Sequence, residues 1–176
     1  MFSLKIIVAV VVVVIAAVLI YAATKPDTFQ VQRSASISAP PEKIFPFLND
    51  FQKAVAWVPY EMKDPAMKRS FSGAPSGKGS VYAFEGNNEV GTGRLEILDS
   101  TPQKVTVQLD MVKPFAGRNI IEYTLEPQGA ATRVTWAMHG ALPYIGKLMS
   151  VFIDCDSMIG KDFEAGLSSL KAITEK

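Results

Sequence analysis

The sequence holds one histidine, His139, and one cysteine, Cys155, and these are the first residues to weigh for chemistry. A histidine acts as acid or base only with a reacting partner in hydrogen-bond reach, and a thiol attacks only where its surroundings favour the thiolate. In TRVTWAMHG (132–140), Val134, Trp136 and Met138 share one parity and His139 has the other. If those three face an interior, His139 faces solvent or the end of a strand. No serine or cysteine adjoins it in sequence. Cys155 lies between Phe152 and Ile159 on a run with helical spacing, where it reads as a small buried hydrophobe. One cysteine and one histidine do not make a Cys/His zinc site, and Asp154-Cys155-Asp156 lacks the carboxylate spacing of a calcium loop. No metal and no cofactor is implied.

Acids are the next candidates. Asp110 and Glu122 take the polar parity of alternating segments, which puts them on a solvated face. Glu85 is open to two readings, because either Tyr82 and Phe84 or Val81, Ala83 and Glu85 could point inward. The second choice makes Glu85 a buried carboxylate with a raised pKa, able to serve as acid or base. Aromatic residues usually take the buried parity, which favours the first. Glu85 and His139 are thus the catalytic candidates, neither with a recognisable partner. Gly91-Thr92-Gly93 is followed by a strand pattern and not by a helix, so it reads as a hairpin turn and not as a phosphate cradle.

The larger group of candidates is apolar. Trp57, Tyr60, Tyr82, Phe84, Tyr123, Trp136, Phe152 and Phe163, joined by Leu109, Met138 and Ile159, either line a cavity for an apolar ligand or fill an ordinary core.

Several elements must position them. VQRSASIS (31–38) alternates as a first strand, and Ile44, Phe47, Leu48 and Phe51 form one helical face after Pro40-Pro41. Pro46 should make that helix short or broken near Asn49-Asp50. From Met67 the period is two: KRSFSG, GSVYAFEG, GRLEILDS, KVTVQLDM, RNIIEYTLEP and TRVTWAMHG read as six strands of an antiparallel meander. After Pro143 the period returns to 3.6, and Ile145, Leu148, Phe152, Cys155, Ile159, Phe163, Gly166, Leu170 and Ile173 predict one long helix across the sheet. Gly146, Gly160 and Gly166 within it imply either close packing on the sheet or room for a ligand.

Residues 6–23 carry no charge and span about 27 Å as a helix, close to the hydrocarbon thickness of a bilayer. A cleaved signal peptide is the rival reading, but its apolar region is shorter, and Ile20 and Tyr21 spoil the small-residue cleavage pattern. The chain is therefore expected to consist of a short tail and single transmembrane anchor (1–25) followed by one domain (26–176). Lys5 on the short side favours an extracytoplasmic domain, while Lys25 and Arg33 on the other flank oppose it. Residues 26–176 carry 16 basic and 17 acidic side chains with no basic run, which argues against nucleic acid as a partner.

The order strand, short helices, six strands, long helix is that of the helix-grip fold. ISAPPEKIFPFLNDF, WVPY, DPAMKRSFSG, GSVYAFEGNNEVGTGRLEI, TRVTWAMHG and IGKDFEAGLSSLK resemble the SRPBCC superfamily, within it the START-like, polyketide cyclase/dehydrase-type branch of bacterial proteins. The resemblance covers residues 29–175. It implies an α+β fold, a curved antiparallel sheet of about seven strands wrapped on the long C-terminal helix behind an N-terminal transmembrane helix. It also implies a cavity between sheet and helix for apolar or amphipathic small molecules. Relatives include cyclases and hydrolases as well as lipid binders. The resulting expectation is a domain on the bacterial cytoplasmic membrane binding a lipid-like molecule, with a cyclase/dehydratase or a filled-core interaction domain as alternatives.

Overall fold

The structure, a computed structural model, describes residues 4–176; Met1–Ser3, the start of the expected tail, lie outside the described residues. The first element, α1 (Leu4–Ala23), is the one described helix long and apolar enough to cross a membrane. Its sides are exposed, and only Ala22 is buried.

β1 (Thr28–Ile37) follows, then three short helices, α2 (Pro41–Leu48), α3 (Phe51–Ala54) and α4 (Tyr60–Lys63). The short or broken helix expected after Pro40-Pro41 is thus divided into three pieces. The first break falls where Pro46 and Asn49-Asp50 placed it, and the Asp50 carboxylate accepts the Gln52 N–H at 2.9 Å to start α3. Six strands complete the sheet: β2 (Lys68–Gly73), β3 (Ser80–Glu85), β4 (Thr92–Thr101), β5 (Lys104–Lys113), β6 (Gly117–Gln128) and β7 (Ala131–Ala141). The order is β1-β7-β6-β5-β4-β3-β2, and every pair is antiparallel.

The predicted single C-terminal helix is two: α5 (Tyr144–Met149) and α6 (Cys155–Thr174). Asp154 makes the break, since its carboxylate accepts the Ser157 N–H at 3.0 Å and opens a new helix. Apolar residues keep nearly helical spacing across the five-residue link, so periodicity alone did not reveal it. α6 lies along β1 and β7. Gly160 and Gly166 serve that packing. A Cβ on Gly160 would collide with the Arg33 guanidinium, and one on Gly166 would meet the Trp136 ring at 2.7 Å and Pro59 at 3.0 Å.

Cross-strand rows on the inner face show how closure varies along the sheet. The row Trp136–Tyr123–Val105 is buried, and so is Val31–Met138–Ile121–Val107–Ile97. The next row, toward the end where α1 enters, has Phe29, Asn119, Leu109 and Leu95 only half-buried. Beyond it, Met111 and Phe84 are half-buried across Gly93. The concave face is closed at one end and opens at the other.

Candidate functional site

The eleven apolar candidates do not form one lining. Trp57, Tyr123, Trp136 and Phe163 make a closed cluster beneath α6. Trp136 stacks on Phe163 at 4.1 Å between centroids, and Trp57 meets Trp136 and Tyr123 edge-on at 5.3 and 5.9 Å. Gly166 is what allows Trp136 this close to the helix. The Trp57 indole donates to the Phe47 carbonyl at 2.9 Å, while the Trp136 indole N–H is buried without a partner among the described residues. These four rings fill the interior here. Burial pushes the Tyr123 phenol far above its ordinary pKa. Burial, with the nearby Asp162 carboxylate, does the same to Tyr60 beside the cluster.

At the open end lie Phe84, Leu109 and Ile159, three of the candidates, together with Leu95 and Met111, which sequence reading did not single out. Gly93 lets the neighbouring strands' side chains approach. A Cβ there would meet the Phe84 ring at 2.8 Å and the Met111 sulfur at 3.1 Å. Phe84, Leu95, Leu109 and Met111 thus make a half-buried apolar strip across β3 to β5 on the inner face, here the trough, and Ile159 is half-buried on α6. Met138 sits one row deeper and is buried. Phe152, expected in the lining, is instead 74% exposed in the link between α5 and α6. The helix break explains its displacement.

Tyr82 joins a polar group that sequence reading missed. Its hydroxyl donates to Glu61 Oε1 at 2.5 Å, and Arg69 Nε donates to Glu61 Oε2 at 2.6 Å. Glu61 is buried, so this pairing matters. Burial, then the donation to Glu61, raises the Tyr82 pKa well above the ordinary phenol value. Arg69 carried the available signal, because it shares the parity of Phe71 and so points inward, where an arginine needs an acid.

Both catalytic candidates face away from the trough. Glu85 is exposed on the outer parity of β3, 3.4 Å from Lys68 Nζ, so the reading with Val81, Ala83 and Glu85 inward is corrected. Tyr82 and Phe84 take the inner side, because that face carries the core. His139 has the outer parity, as its sequence position implied. It borders an open cleft of about 460 Å³ with Thr28, Phe29, Gln30, Glu122 and Gly140. A second cleft, about 110 Å³, lies against Phe51, Phe71 and Pro75. Asp154 and Asp156 have structural partners, the cap of α6 and Arg33. Among the described residues, no group of three His, Cys, Asp or Glu is placed to hold a metal ion.

The sheet and its long helix have counterparts in solved structures. Protein CV1439 from Chromobacterium violaceum superposes with a TM-score of 0.60 at 16% identity, over 86% of this chain and 99% of its own. The Aha1 dimer from Colwellia psychrerythraea gives 0.59 at 20% identity, over 84% of this chain and 96% of its own. The di-domain ARO/CYC BexL of the BE-7585A biosynthetic pathway gives 0.61 at 11% identity, over 90% of this chain and 53% of its own. At these identities the likeness is one of fold. No curated protein matches the sequence. A family model described as polyketide cyclase / dehydrase and lipid transport matches residues 28–175, from the start of β1 to the end of α6, and the chain belongs to that family.

Proposed function

We propose that this protein is a membrane-anchored binding domain that holds an apolar, lipid-like small molecule in the trough at the open end of its concave face. The carrying observation is the half-burial of Phe84, Leu95, Leu109, Met111 and Ile159 on the inner side of the sheet and α6. Apolar side chains left partly wet on a concave surface gain roughly 25 cal/mol per Å² when a ligand covers them. α1 supports the anchor by length, composition and exposure, and an extracytoplasmic domain on the bacterial cytoplasmic membrane fits Lys5 on the short side. A tether concentrates the trough where apolar molecules partition.

The cyclase reading needs an acid or base at the trough, and the geometry supports it less. Glu85 and His139 are on the outer face, and the inward acid, Glu61, is already held by Arg69 and Tyr82. A filled core describes the aromatic cluster but not the trough.

The test is native mass spectrometry of the full chain released from mild detergent, followed by solvent extraction. A stoichiometric apolar adduct is expected. An apo mass that persists after incubation with a lipid extract would overturn the reading.

A further inference from the structure

The exposed apolar residues of the domain are unevenly distributed, and their placement bears on how the trough is filled. At the end of the sheet where α1 enters, the β5–β6 tip exposes Val112 and Phe115, and the α5–α6 link exposes Phe152 and Ile153. The tips at the opposite end, Pro102-Gln103 and Gly129-Ala130, expose no large hydrophobic side chain. Side chains of this size in water are costly, and two separate loops presenting them at one end imply a common apolar cover.

α1 indicates what that cover is. Only Thr24–Asp27 separate it from β1, and four residues reach at most about 14 Å even when fully extended. The joint is also clasped. Tyr144 Oη on α5 donates to the Leu19 carbonyl at 3.0 Å, and Lys25 Nζ donates to the Ser150 carbonyl at 2.6 Å. Lys147 Nζ pairs with Asp27 at 2.5 Å, and Ala22 is fully buried. A helix held this way cannot cross a bilayer while the adjoining end of the domain stands far from it.

We infer that the open end of the domain is seated in the interface of the bilayer that α1 crosses, with Phe115 and Phe152 inserted among the lipids. The trough then opens toward the leaflet, and its ligand is an amphiphile that enters from lipid without passing through water. This rests on the anchored-binding reading and specifies its route. Insertion of aromatic tips at the headgroup level is favourable because the ring leaves water while the backbone stays near polar groups.

The test uses the full chain in phosphatidylcholine/phosphatidylglycerol vesicles on a Cys155→Ser background. Nitroxide labels are placed singly by Phe115→Cys, Phe152→Cys, Gln103→Cys and Val13→Cys. Each label's accessibility to dissolved oxygen is compared with that to a water-soluble nickel chelate. Labels at 115 and 152 should favour oxygen, like that at 13, while the label at 103 favours nickel. A water-like ratio at either 115 or 152, with 13 in lipid, overturns the seating and leaves the anchor intact. A water-like ratio at 13 refutes the anchor and the seating together.

Discussion

The two ends of the concave face are built from the same strands and behave as different materials. Beneath α6, Trp136, Tyr123, Trp57 and Phe163 touch one another, with Gly166 removing the last side chain that would keep helix and sheet apart. Two rows away Leu109 and Leu95, and three rows away Phe84 and Met111, have the same inward parity on neighbouring strands but remain half in water. The difference is one of cover. α6 packs closest along β1 and β7, and the half-buried side chains of β3 to β5 lie on strands that it approaches less closely. An inward side chain is therefore packed core or half-exposed surface according to what the chain lays across it, and parity alone does not distinguish the two.

The comparison breaks most easily at the packed end. Trp136→Ala removes a ring stacked on Phe163 and should cost about 3–5 kcal/mol, read from denaturant midpoints of the detergent-solubilised chain. A loss below about 1 kcal/mol would show that this end is as loosely filled as the other. Gly166→Ala probes the same packing from the helix side. Its new methyl would sit 2.7 Å from the Trp136 ring, and overpacking of this kind costs about 1–3 kcal/mol.

At the open end the order of effects should reverse. Leu109→Ala removes a side chain that already contacts water, so its stability cost should stay below about 1.5 kcal/mol. Capture of an apolar adduct by the same variant should fall about tenfold, for a lost contact of roughly 1.4 kcal/mol. Equal losses of stability and capture would make Leu109 an ordinary core residue.

Much of this was legible in advance, and the exceptions share a cause. The six later strands follow from alternation, and Asn49-Asp50 marked the first helix break through proline and capping chemistry. The break at Asp154 used the same capping chemistry. It escaped because the apolar stripe runs on through Phe152, which the structure turns out to solvent. Inward charges were the second gap. Arg33 was read as a flanking charge of the membrane segment, yet it shares the parity of Val31 and Ile37 and reaches Glu164 and Asp156 on α6. Arg69 likewise finds Glu61. The partners of Arg33 lie 123 and 131 residues away, so no local pattern could supply them, while Glu61 is only 8 residues from Arg69 but on a separate short helix. The trough was hidden for a related reason: which inward residues α6 covers is set by its path and not by its spacing.

The smallest expected effect concerns how each end is fastened. The hydrogen bond from Arg33 holds the Asp156 carboxyl below its ordinary pKa, and that from Lys147 does the same for Asp27. A carboxyl with a depressed folded pKa binds its proton less readily than the unfolded chain does. Its contribution is therefore present above the ordinary carboxylate value of about 4 and is lost as pH falls through the folded value. The Arg33–Asp156 pair is exposed on its acidic side, so solvent screens it and its contribution should be small. Between pH 6 and 3, Asp156→Asn should flatten the fall in the unfolding midpoint slightly relative to the unsubstituted chain. Asp27→Asn should leave that midpoint nearly unchanged, because Asp27 joins α1 to α5 outside the packed interior. Its effect should appear instead as faster amide exchange over residues 144–150 at pH 7. If Asp27→Asn shifted the unfolding midpoint as much as Asp156→Asn, the clasp beside α1 would belong to the same cooperative unit as the aromatic cluster, and the division between a packed end and an open end would not hold.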